Sequence, residues 1–127
     1  MANNTITFNP DSNVAFGVNL TILEGADFKS TFKVNKENKS AFDLTGYAIH
    51  GKMKKSVAIG ASTGGIQGFT AGITSAAAGE FNISLTDTIT KDLKPGRYYY
   101  DINVVSSAST VYKMVSGNIV VEGGLSV

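Results

Sequence analysis

The chain has 127 residues, 43% apolar and 17% charged, with eleven basic residues against ten acidic ones for a net charge of +1. That length suits one domain with its own core. Scattered lysines exclude the basic field that nucleic-acid binding needs, one histidine excludes a multi-histidine zinc site or a His-based triad within one chain, and the lack of cysteine excludes disulfides and thiol chemistry.

Met1 to Phe8 has neither a basic start nor a continuous apolar run, so it does not read as a secretory signal. No apolar run approaches the ~20 residues that cross a bilayer. The expectation is a soluble product made in a cytoplasm.

Thr5 to Phe8 reads as a short strand, and Asn9-Pro10-Asp11-Ser12-Asn13 as a turn, because Pro fixes φ and Asp and Asn bond back to the local backbone. Val14 to Leu23 is a strand candidate, followed by a turn at Glu24-Gly25-Ala26-Asp27. Phe28, Ser30, Phe32 and Val34 then alternate with Lys29, Thr31 and Lys33, which predicts a strand with one wet face. Asn35 to Ser40 is a polar hairpin tip. Phe42 and Leu44 are placed to plug the core ahead of a strand carrying Tyr47, Ile49, Gly51 and Met53, with His50, Lys52 and Lys54 opposite.

Residues 56–79 are rich in Gly, Ala, Ser and Thr and carry no charge, which predicts one short strand near Gly68 to Ile73 within a flexible loop. Such a loop either lies bare on the surface or orders against a neighbouring subunit. Phe81, Ile83 and Leu85 alternate into the core, and Thr86 to Leu93 reads as one helical turn capped by Thr86 or Asp87. After Pro95-Gly96, Tyr98, Tyr100, Ile102 and Val104 share one face and Tyr99, Asp101 and Asn103 the other. Either Tyr98 or Tyr99 can supply a tyrosine corner, a hydroxyl bonded to backbone upstream. Ser106 to Ser109 makes the last hairpin. The final strand region breaks at Ser116-Gly117, where glycine signals a bulge or a close neighbouring backbone.

Regular short strands with turns between them predict an all-β fold, an immunoglobulin-like antiparallel β-sandwich of seven to nine strands with one short helical turn. Phe28, Phe32, Ile49, Phe81, Ile83, Tyr100 and Ile102 form most of the expected core. Residues 1–127 read as one domain, with an extension at 1–13, the loop at 56–79 and a tail at 123–127.

Chemistry is sparse. His50 lies among lysines on a wet strand face, and Asp87 and Asp92 are turn or cap residues with no calcium-loop spacing. Gly64-Gly65, Gly68 and Gly72 lack the Lys-Ser/Thr and helix of a phosphate loop. No catalytic, cofactor-binding or metal-binding residue is assigned, no cofactor is expected, and the chain is read as not an enzyme.

Asp43-Leu44-Thr45-Gly46-Tyr47 leading to Lys54-Lys55-Ser56 resembles a phrase in small structural proteins of tailed phages, notably phages of cyanobacteria and other aquatic hosts. Gly96 to Asp101 through Met114 to Val121 resembles their closing hairpin, and Gly25-Ala26-Asp27-Phe28 the turn after their first strand. More distantly, the order of elements is similar to the N-terminal sandwich of upper baseplate proteins from lactococcal phages. The resemblance implies a virion structural protein of the tail or baseplate, with capsid decoration as the alternative. It implies a virion location after assembly in the host cytoplasm, and as partners other phage structural proteins and copies of itself, with no nucleic acid, membrane or small-molecule substrate. The candidate interface residues are Thr5, Ile6, Phe8, Ile66, Phe69, Ile73, Leu125 and Val127. A reading of another class, a carbohydrate-binding adhesion module, rests on an exposed aromatic such as Tyr99.

Overall fold

In the structure, a computed structural model, residues 3–9, 15–55 and 66–123 are described. Where apolar and polar residues alternate, the backbone is extended and every second side chain is buried. β4 (Phe28–Asn35) and β8 (Glu80–Leu85) follow the pattern, as does β9 (Gly96–Val105) between Tyr98 and Val104. The remaining elements are β1 (Asn3–Thr7), β2 (Phe16–Gly17), β3 (Leu20–Leu23), β5 (Ala48–Lys55), β6 (Ile66–Gly68), β7 (Thr70–Ser75), α1 (Asp87–Thr90) and β10 (Val111–Glu122). Among the described residues, no helix is long and apolar enough to cross a membrane.

The strands form an all-β sandwich. One sheet has the order β1-β4-β8-β7, the other β2-β10-β9-β5-β6, with β3 also on β10. Both sheets are mixed rather than wholly antiparallel: β1 runs parallel to β4, and β2 and β3 run parallel to β10. The reason is chain path. No hairpin joins these partners, so no tight turn imposes the antiparallel direction. The segment expected to be an N-terminal extension thus supplies a full sheet member, and the expected loop at 56–79 supplies β6 to one sheet and β7 to the other. The remainder of that loop, 56–65, lies outside the described residues.

The strand expected over Val14 to Leu23 is interrupted at Val18-Asn19, where the chain bows over Gly117. Val18 N–H donates to the Ser116 carbonyl (3.0 Å) and the Asn19 side-chain oxygen accepts from Asn118 N–H (3.2 Å). A Cβ on Gly117 would stand 2.0 Å from the Val18 carbonyl oxygen, so the glycine exists for close approach. The bulge lies three residues earlier, between Lys113 and Val115, where Met114 and Val115 are both buried.

All seven expected core residues are buried between the sheets, as are Phe42 and Leu44. Phe32 and Phe81, opposite each other on β4 and β8, are stacked with centroids 5.0 Å apart and planes 5° from parallel. Phe8, Phe42, Tyr47 and Tyr112 cluster at one end, and Phe69 bridges Phe28 and Tyr100 (6.1 and 6.4 Å) where the chain passes from one sheet to the other. Asp43 Oδ1 accepts from the Thr45 hydroxyl (2.6 Å) and N–H (2.9 Å), and those bonds hold its carboxyl below the usual carboxylate range. This turn presents Leu44, whose N–H bonds the Ala76 carbonyl (2.8 Å), to the core.

In the turn before β8, Gly79 adopts φ +72°, and a Cβ there would lie 2.5 Å from the Val34 carbonyl oxygen and 2.6 Å from that of Phe42. Thr86 precedes α1 without a side-chain cap bond. Asp27 Oδ1 caps in its place, accepting from Asp87 N–H at 2.8 Å, while buried Thr90 donates to the Ala26 carbonyl.

Candidate interaction surfaces

The turn before β9 builds a tyrosine corner. Tyr98 Oη donates to the Lys94 carbonyl (2.9 Å), and Lys55 Nζ lies 5.5 Å from the centre of its ring while donating to the Pro95 carbonyl (3.0 Å). Of the two expected candidates, Tyr98 makes the bond and Tyr99 stands 59% exposed on the opposite face. Tyr100, buried next along this face, donates to the Val18 carbonyl at 2.6 Å and ties the bowed segment to β9.

Burial pushes the phenols of both Tyr98 and Tyr100 above their ordinary value, Tyr100 further. A raised folded-state pKa stabilises the fold fully below the unfolded value near 10 and is lost as pH climbs towards the folded value. Above about pH 10, stability is therefore expected to fall by up to about 1.4 kcal/mol per pH unit for each phenol still protonated in the folded state. Denaturant titrations from pH 8 to 11 check this, with Tyr100→Phe giving a shallower alkaline decline. Equal slopes for wild type and variant would refute it.

The expected interface residues fall into four groups. Ile6 is fully buried and Phe8 nearly so, Phe8 against Phe42 and Tyr112. Phe69 and Ile73 are partly buried against the same core. Thr5 is exposed on β1, and Ile66 pairs in register with Lys54 on β5. Leu125 and Val127 lie outside the described residues. Among the described residues, the large apolar side chains that do reach solvent are Phe16, Leu23, Tyr99, Val111 and Val120. Their only sequence signal is an apolar residue on the face that alternation assigns to water.

The outer face of the six-stranded sheet is a grid set by register across β5, β9 and β10. Lys54, Tyr99 and Asn118 make one row, and Lys52, Asp101 and Ser116 the next. His50, Asn103 and Lys113 make the third. Lys113 Nζ lies 3.6 Å from Asp101 Oδ2, crossing rows. The first two rows line a groove of about 520 Å³.

The four-stranded sheet ends in β1 and β7, with sequences Asn-Asn-Thr-Ile-Thr and Thr-Ala-Gly-Ile-Thr-Ser. Neither strand has a charge or a proline, the usual guards of a free edge. β1 and β7 both run parallel to β4, because β8 is antiparallel to β4 and to β7. Among the described residues, no group of three or more acidic or histidine side chains is placed to hold a metal.

Fold and surface together define a β-sandwich whose four-stranded sheet has, among the described residues, unpaired edges at β1 and β7, and which carries one polar, aromatic-bearing sheet face. No family model and no curated sequence matches the chain. Among solved structures it is similar to the N-terminal domain of ORF48 of phage TP901-1, with TM-score 0.52 and 11% identity over 96% of this chain and 99% of that one. It is also similar to a family 123 glycoside hydrolase from Clostridium perfringens, with TM-score 0.40 and 13% identity over 86% of this chain and 23% of that one. A third likeness is to the bradyzoite antigen BSR4 of Toxoplasma gondii, with TM-score 0.38 and 9% identity over 92% and 48%.

Proposed function

We propose that the protein is a virion structural subunit of a tailed phage, an immunoglobulin-like sandwich in the tail or baseplate that acts through protein–protein contacts. The observation that carries this is the end-to-end fold likeness to a domain of a phage protein, with almost nothing left over on either chain. The likeness of Asp43 to Ser56 and of the closing hairpin to phage structural proteins supports it. Capsid decoration is the runner-up within the same class.

Strand edges supply the contact chemistry. Because β1 and β7 point the same way, the β7 edge of one copy can pair in parallel with the β1 edge of the next. Backbone bonds would then run across the copies without unpaired groups at the join.

Mass spectrometry of purified virions tests the role: the protein is expected as a stoichiometric component, and its absence from particles refutes the proposal. Gly72→Lys tests the edge. Nothing lies within 4 Å of a Cβ built there, so the monomer is expected to keep its stability within about 0.5 kcal/mol. Incorporation into particles is expected to drop severalfold, because a lysine guards the edge. Undiminished incorporation excludes β7 as the contact.

A further inference from the structure

The groove on the outer face of the six-stranded sheet has the composition of a ligand site rather than of a packing surface. Its centre is Tyr99, a ring more than half exposed in a row with Lys54 and Asn118. Lys52, Lys54 and Lys113 border it, against one carboxylate, Asp101. The volume of about 520 Å³ is within the range of small-ligand sites, ~300–1,000 Å³.

We infer that this groove binds an acidic oligosaccharide, two or three sugar rings carrying carboxylates. The C–H face of one ring stacks on Tyr99, as apolar planes do on an exposed aromatic. Its hydroxyls face the polar lining of Asp101, Ser116 and Asn118, and its carboxylates meet the ammonium groups of Lys52 and Lys54. A folded protein partner fits less well. Lysine is depleted from the buried centres of protein interfaces because its ammonium is strongly hydrated, and three lysines here would have to be covered. Single-stranded nucleic acid fits less well too, since one ring offers no stacking series and Asp101 repels phosphate. The inference goes beyond the structural role and does not depend on it, since a virion brick and a free module can carry the same groove.

The test is a titration of the full chain with tri-galacturonate, followed by backbone amide shifts. Neutral cellotriose, hexaglutamate and a short oligothymidine serve as comparison probes. Shifts are expected at residues 52–54, 99–101 and 116–118, with tri-galacturonate bound at least about tenfold more tightly than the other three. Tyr99→Ala and the double variant Lys52→Glu/Lys54→Glu are each expected to weaken binding about tenfold or more. Both change exposed side chains and should leave the fold intact. No shifts at about 10 mM tri-galacturonate overturn the inference, as does unweakened binding in Tyr99→Ala. Hexaglutamate or oligothymidine binding equally well also overturns it, and reassigns the face to an acidic peptide or a nucleic acid.

Discussion

Phe81→Ala is expected to lower the free energy of unfolding by about 3–5 kcal/mol, a large part of the ~5–15 kcal/mol that holds a domain of this kind together. Phe81 is fully buried and stacks on Phe32, itself fully buried and directly across the β4–β8 ladder. Truncation loses the transfer free energy of the ring and leaves a void that the two sheets cannot close without breaking register. It also removes an aromatic pair, which contributes about 0.5–1.5 kcal/mol beyond area alone. Denaturant unfolding checks this: the midpoint should fall while the slope with denaturant stays constant. Tyr99→Ala is the internal comparison, expected within about 0.5 kcal/mol of wild type because that ring is exposed. A Phe81→Ala loss no larger than that of Tyr99→Ala would show that the core does not sit between the sheets at this pair.

Gly117→Ala is the second large effect, again about 3–5 kcal/mol, by a different route. The added methyl has no free volume, because it meets the Val18 carbonyl oxygen at 2.0 Å, its carbon at 2.9 Å and the Tyr100 ring at 3.2 Å. Backbone must move, and the segment that can move is the bow between β2 and β3. Lifting it breaks the Val18–Ser116 bond and strips the Tyr100 hydroxyl of its acceptor. Each group left buried without a partner costs about 1–3 kcal/mol. Gly17→Ala separates steric clash from the general effect of replacing glycine, since nothing lies within 4 Å of its built Cβ. Thermal unfolding should show Gly117→Ala melting well below Gly17→Ala, and hydrogen exchange should show protection lost around residues 16–23. Equal melting of the two variants would refute the close-approach account.

The two substitutions differ in how readable their sites are from the chain alone. Phe81 is legible: it alternates with polar residues, and alternation states which face turns inward. The same logic finds Phe28, Phe32, Ile83, Tyr100 and Ile102, and the Asp-Leu-Thr-Gly-Tyr turn that carries Leu44 inward. At Gly117 the glycine is visible but its neighbour is not, because Val18 is 99 positions away. The bulge at Met114 had a signal of its own in two adjacent inward residues, Met114 and Val115, which break strict alternation.

The candidate interaction surfaces were less legible. Ile6 and Phe8 look like sticky end residues in a short polar segment, and the same side chains serve equally well under the chain's own second sheet. An apolar residue records that something covers it, not whose atoms do so. Of the groove only Tyr99 stood out before folding, as an exposed aromatic, since the site joins positions 52–54, 99–101 and 116–118 through strand register.

Local pattern therefore specified the all-β class, the inward faces, the turns and most of the core, because those depend on side-chain period and on backbone preferences within a few residues. Which strand lies beside which emerged only with the packed molecule. That includes the parallel placement of β1 and β3, the outer positions of β1 and β7 and the Tyr99 face. Strand pairing is settled by long-range burial and backbone hydrogen bonding summed over the whole chain, and no short stretch of residues carries that sum.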